Sequence, residues 1–221
     1  MPDQNEPSPP IAPAWDLHNR PEAQERLAAE CPRVLAELRQ ASEQEQLAFL
    51  LDTREVHHRL FEPLTSAGEE EMAGTYRGEP GTILAERRAV ITYPDTPGLK
   101  EYDVTMHPRD VARSMDNLNV LIETTWQERL PAERHLTACA RIFALVCLIH
   151  PYAEGNGHIA RLMLTLLAER GDIEVSPEWT IHPRPYDNTV GIALQNYQHY
   201  PGMLEQLLKE WFGVWRGNYP R

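Results

Sequence analysis

With 221 residues, 42% of them hydrophobic, the chain can bury one sizeable core and carry an appendage, but not several domains. A formal charge of −12 argues against a sequence-independent nucleic-acid binder, which needs a basic face, while leaving room for one nucleotide held by a few local cations. No apolar run approaches the ~20 residues of a membrane span, and no basic-then-apolar leader opens the sequence. Three cysteines suit a reducing compartment, so no membrane partner and a cytoplasmic location are expected, with a secreted effector not excluded.

Residues 1–14 hold five prolines and little that could pack, and are expected to be a disordered tail. Residues 15–55 read as N-terminal helices. Leu27, Val34, Leu35 and Leu38, then Leu47, Leu50 and Leu51, recur at helical spacing. Pro32 suits the start of the piece after Cys31. Ser42 with Glu45 reads as a capping box that opens the next helix. Residues 56–221 form the main domain. His57 and His58 are adjacent, so they do not share a helix face, and a two-histidine metal pair is not expected.

After a Gly- and Glu-rich loop, Thr82–Ala85 and Ala89–Tyr93 flank Glu86-Arg87-Arg88. Two short β-prone runs around a polar link predict a hairpin containing Ile83, Leu84, Val90 and Ile91. Pro108 opens a helix striped by Val111, Met115, Leu118, Leu121 and Ile122. Another follows Pro131, buried nearly all round through Cys139 and Cys147, which read as inert core thiols. A helix from about Gly157 to Arg170, with Gly171 as its C′ residue, comes next. A final pair, about 187–200 and 201–215, closes the chain. The fold class is all-α with one small hairpin.

Between the two most apolar helices lies His150-Pro151-Tyr152-Ala153-Glu154-Gly155-Asn156-Gly157-His158-Ile159-Ala160-Arg161. Gly155, Asn156 and Gly157 can bring backbone N–H groups close to an anion at the positive end of a helix. Arg161, on the first helical turn, can bond phosphate oxygens. Glu154 beside such a site makes sense with a cation between the two negative groups, and Mg²⁺ commonly takes one or two carboxylates plus substrate phosphates. His150, ending the preceding helix, can accept a proton. Base, metal ligand, anion nest and cation together suit transfer of a phosphate-linked group to a hydroxyl.

The stretch resembles the signature of the Fic family: His-Pro-Phe, any residue, Asp or Glu, Gly-Asn-Gly-Arg, two residues, Arg. Tyr152 stands for the Phe and His158 for the first arginine. Arg59-Leu60-Phe61-Glu62 and Ala73-Gly74-Thr75-Tyr76-Arg77 resemble the segment ahead of it. The resemblance implies a Fic-type helical bundle with a β-hairpin flap, at which Ile83, Leu84, Val90 and Ile91 would dock the target segment.

It further implies protein AMPylation with ATP as co-substrate. His150 would deprotonate a Ser, Thr or Tyr hydroxyl of a target protein, which attacks the α-phosphate. Glu154 would hold Mg²⁺. Gly155, Asn156, Gly157, His158 and Arg161 would bind phosphates, and pyrophosphate would leave. Neutral imidazole neither carries a fixed charge nor forks onto two oxygens as guanidinium does. His158 therefore keeps three readings open: a site that works with one fewer cation, a histidine that becomes protonated when phosphate is near, or another phosphate-linked donor. The competing functions are a degenerate module that binds nucleotide or partner, which His158 favours, and removal of AMP. Family members often carry an inhibitory helix whose glutamate pairs with the second motif arginine. No complete copy of its pattern is present, so the inhibitor is expected to be a separate antitoxin-like protein, absent, or diverged, with Glu69-Glu70-Glu71 as a weak internal candidate.

Overall fold

The computed structural model describes residues 20–88 and 106–213. Eight α-helices occur among them: α1 (Pro21–Gln40), α2 (Glu43–Leu51), α3 (Arg54–Phe61), α4 (Pro108–Gln127), α5 (Ala132–Ile149), α6 (Asn156–Arg170), α7 (Asn188–Gln195) and α8 (Pro201–Leu208). The fold is an all-α bundle with α6 at its centre, packed by α5, α1 and α4.

Local signals account for most boundaries. Ala23, Leu27, Cys31 and Val34 share one buried face of α1. Pro32 does not start a helix; α1 runs through it. Proline there forgoes its hydrogen bond to the preceding turn, and the continuous apolar face on either side holds the helix together. Ser42 and Glu45 form the expected reciprocal cap: Ser42 N–H donates to Glu45 Oε2 at 2.8 Å, and Glu45 N–H to Ser42 Oγ at 3.3 Å. Pro108 occupies the first turn of α4.

Every residue of α6 from Ile159 to Ala168 is buried, which explains its lack of a polar face. Truncating one of its leucines to alanine should cost about 2–5 kcal/mol. The cysteines sit in this core. Burial pushes the Cys31 and Cys147 thiols up to about 12, so they are inert at neutral pH.

Two expectations change at the C-terminal end. Gly171 caps α6 but with φ −87°, and the left-handed residue is Asp172, φ 55°. Gly171 is needed for close approach instead: a Cβ there would lie 2.2 Å from the His135 ring, whose Nε2–H donates to the Leu167 carbonyl at 2.7 Å. The final helices, α7 and α8, are shorter than their periodicity suggests. An antiparallel bridge, Val175 with Phe212, ties the end of the described chain to the segment after α6.

The predicted hairpin is also corrected. Residues 81–86 are consecutive turns, not a strand. Ala85 N–H donates to the Thr82 carbonyl and Arg87 N–H to that of Leu84. Side chains compete for the backbone: Glu71 Oε2 accepts from Ile83 N–H at 3.0 Å and Thr82 Oγ1 from Leu84 N–H at 3.2 Å. Leu84 is buried, and Ile83 is exposed. Val90 and Ile91 lie outside the described residues.

Candidate active site

The turn between α5 and α6 is shaped by residues far away in sequence. His150 takes a left-handed backbone, φ 53°, ending α5. Arg77 reaches this end from the loop after α3. Its buried guanidinium donates through Nε to the His150 carbonyl at 2.7 Å and through Nη2 to the Ile149 carbonyl at 3.0 Å. It also donates to the carbonyls of Arg87 and Met106, both at 3.1 Å. These bonds occupy carbonyls that a helix end otherwise leaves without partners.

The His150 side chain is half-buried. Its Nδ1 lies 3.3 Å from the Cys147 carbonyl. A carbonyl only accepts, so Nδ1 carries the proton and Nε2 keeps its lone pair. Burial, helped by the Arg77 charge and opposed by the bond to Cys147, lowers its pKa to about 4. In the fold it is therefore an unprotonated base throughout the physiological range.

His57 performs a structural job that sequence reasoning missed. Gly74 N–H donates to its Nδ1 at 2.9 Å, so its Nε2–H must donate to the Glu154 carbonyl, also at 2.9 Å. The ring lies flat on Tyr152, centroids 3.7 Å apart. Burial lowers its pKa to about 3, fixing one neutral tautomer. His58, by contrast, is exposed. Tyr152 in place of phenylalanine brings a hydroxyl into the core, and Thr53 Oγ1 meets it at 2.6 Å.

Gly155 opens α6 with φ 79°, and a Cβ there would collide with the Phe61 ring at 2.4 Å. Glycine is required on both counts. No side chain caps this helix N-terminus. The first N–H groups of a helix have no acceptor within it, so the N–H groups of Asn156 and Gly157 are the donors this turn offers to an anion. Asn156 has a structural part as well. Its buried amide accepts from Tyr152 N–H at 2.8 Å and donates to the Tyr152 carbonyl at 3.0 Å, clamping the turn rather than extending from it. Glu154 Oε1 accepts from Gly155 N–H at 3.1 Å.

Arg161 is 3% exposed. Its Nε and Nη2 donate to the Ile181 carbonyl at 2.9 and 2.7 Å, and Nη1 to Tyr186 Oη at 3.2 Å. Nη1 would also lie 3.1 Å from a Cβ at residue 157, so it stands against the turn. Among the described residues no carboxylate pairs with Arg161. His158 sits between Phe61 and His182, its Nε2 lying 3.0 Å from His182 Nδ1. His182 had no signal in the sequence. The acidic cluster is engaged locally: Glu70 accepts from Gly68 N–H, and Glu71 from Ile83 N–H.

Fold and site define a helical protein with a glycine turn at a helix N-terminus, a buried cation behind it and an uncharged imidazole beside it. The Fic/DOC family profile matches residues 50–168, more than half of the chain, and the chain belongs to that family. Its members are in general transferases. The fold is similar to the crystal structure of the N-terminal Fic domain of a cell filamentation protein from Bartonella quintana, a VirB-translocated Bep effector protein. The two share 18% identity over 86% of this chain and 82% of that one, with a TM-score of 0.59. No curated protein matches the chain. Among the described residues no helix is long and apolar enough to cross a membrane.

Proposed function

We propose that the chain transfers AMP from ATP to a hydroxyl of a target protein, releasing pyrophosphate. One observation carries the reading. A histidine whose proton is fixed on Nδ1 stands at one end of a glycine turn at a helix N-terminus, and a buried arginine that pairs with no carboxylate among the described residues stands at the other. His150 Nε2 accepts the proton of the target Ser, Thr or Tyr as its oxygen attacks the α-phosphate. Backbone N–H groups of the turn stabilise the charge that develops, and Arg161 holds the departing diphosphate.

Among the described residues no three His, Cys, Asp or Glu gather into a metal cage. A single carboxylate, Glu154, beside phosphate oxygens is a donor set that Mg²⁺ accepts. Bound there, the ion would neutralise phosphate charge. Asn156 and His57 act earlier, by setting the shape of the turn.

Incubation with α-labelled ATP and Mg²⁺ tests this. Label should reach the chain itself or a lysate protein, and His150→Ala should reduce it about 10²–10⁴-fold, as loss of a general base does. The acid limb of the rate should lie near the His150 pKa of about 4 and not near 6.5. A parent as silent as His150→Ala with every nucleoside triphosphate would defeat the reading. The His158–His182 pairing favours one second reading, a different phosphate-linked donor. Label arriving only from such a donor, and not from ATP, would select it.

A further inference from the structure

Arg161 is aimed by groups that carry no charge. Its Nε and Nη2 donate to the Ile181 carbonyl at 2.9 and 2.7 Å, and its Nη1 donates to Tyr186 Oη at 3.2 Å. A guanidinium is planar and its N–H directions are fixed, so bonds on both of its edges set the plane and its rotation. The corner nearest the turn is Nη1. A Cβ at residue 157 would lie 3.1 Å from Nη1 and 3.9 Å from Cζ. Nη1 carries two N–H groups, and the one that Tyr186 accepts fixes the direction of the other.

Tyr186 is itself firmly placed. It directly precedes Asp187, the N-cap of α7. Its ring lies beside Trp179, centroids 5.8 Å apart, and edge-on to Trp211 at 6.2 Å. Trp179 Nε1–H donates to Thr165 Oγ1 at 3.1 Å, and Thr165 Oγ1–H donates to the Arg161 carbonyl at 2.8 Å. A path that leaves the Arg161 backbone through Thr165, Trp179 and Tyr186 therefore returns to the Arg161 side chain. Burial pushes the Tyr186 phenol up from the ordinary tyrosine value, so it accepts the bond as a neutral group.

We infer that Tyr186 is a positioning residue for the transfer reaction, its hydroxyl turning the Nη1 corner of Arg161 toward the departing diphosphate. This rests on the nucleotide reading above. A carboxylate in the same place would aim the arginine but cancel its charge. A phenol aims it and leaves the charge for phosphate. With Nε and Nη2 committed to Ile181, the diphosphate meets a corner and not a two-pronged fork, which makes the aim of that corner decisive.

Calorimetry of the full chain with magnesium ATP and with AMP tests this, because AMP has no diphosphate and is blind to the corner. Tyr186→Phe keeps the ring and removes only the acceptor. It should weaken magnesium ATP binding about threefold to tenfold, the worth of one such hydrogen bond, and leave AMP binding unchanged. Tyr186→Leu, which also lacks the acceptor, should show the same selective loss. Added to Arg161→Met, Tyr186→Phe should cost nothing further, because the two residues act as one unit. Undiminished magnesium ATP binding, a loss shared equally by AMP, or a loss that adds to that of Arg161→Met overturns the role of Tyr186 and leaves the nucleotide reading standing. A folded parent that binds no magnesium ATP overturns both.

Discussion

The two ends of α6 treat their charges in opposite ways. At the C-terminal end, cations meet carboxylates: Arg39 with Glu169 at 2.5 Å, Arg170 with Glu43 at 2.6 Å, and Arg129 with Asp172 at 3.8 Å. These residues line a cleft of about 450 Å³ that balances its own charge. At the N-terminal end Arg161 is buried against a carbonyl, a hydroxyl and a ring, so its charge is left for something else. Burying a cation is costly unless an opposite charge joins it. The cleft at the C-terminal end has its charges matched within itself, and the buried cation at the N-terminal end does not.

Substitutions can break this contrast. Gly155→Ala should have the largest effect, about 3 kcal/mol or more by denaturant unfolding, because it adds left-handed strain to a collision with Phe61. Arg161→Met should weaken magnesium ATP binding about tenfold to a hundredfold, the worth of a lost charged hydrogen bond, while Arg170→Met leaves binding unchanged. Equal losses from the two variants would erase the distinction between the ends.

Acid should separate the ends as well. His57 and His150 have folded pKa values of about 3 and about 4, below the ordinary 6.5. Between pH 6.5 and 4 the unfolded chain binds protons that the folded chain refuses, so stability is full above 6.5 and falls on acidification. The slope should reach up to about 1.4 kcal/mol per pH unit for each histidine. His57→Phe should flatten it by one histidine's share, visible in urea midpoints across that window. The smallest effect belongs to the far end. Arg39→Ala, removing one side of a largely exposed ion pair, should change stability by less than about 1 kcal/mol.

The helices, the capping box and the glycine turn were legible because each is written in neighbouring residues. The Ser42–Glu45 box spans one helical turn, and the glycines of the turn adjoin the helix they open. What was not legible depends on distance along the chain. His57 meets Glu154 across 97 residues, and Arg77 meets His150 across 73. Neither partner is implied by local pattern. The clamp made by Asn156 was not legible for a related reason: its type suits both an anion site and a turn clamp, and only the fold shows the amide closed on Tyr152. The run at Thr82–Ala85 has β propensity but loses its backbone donors to side chains, which propensity does not register.

Arg77 has one more consequence. Its guanidinium holds the carbonyls of Arg87 and Met106 together, and Met106 N–H is bonded to the Leu148 carbonyl at 3.1 Å. Residues 87 and 106 are thereby fastened to a single guanidinium beside residue 150. The knot is tied to main-chain carbonyls, which any residue type at positions 87 and 106 would supply, so the imidazole's address depends on Arg77 and not on the side chains it gathers.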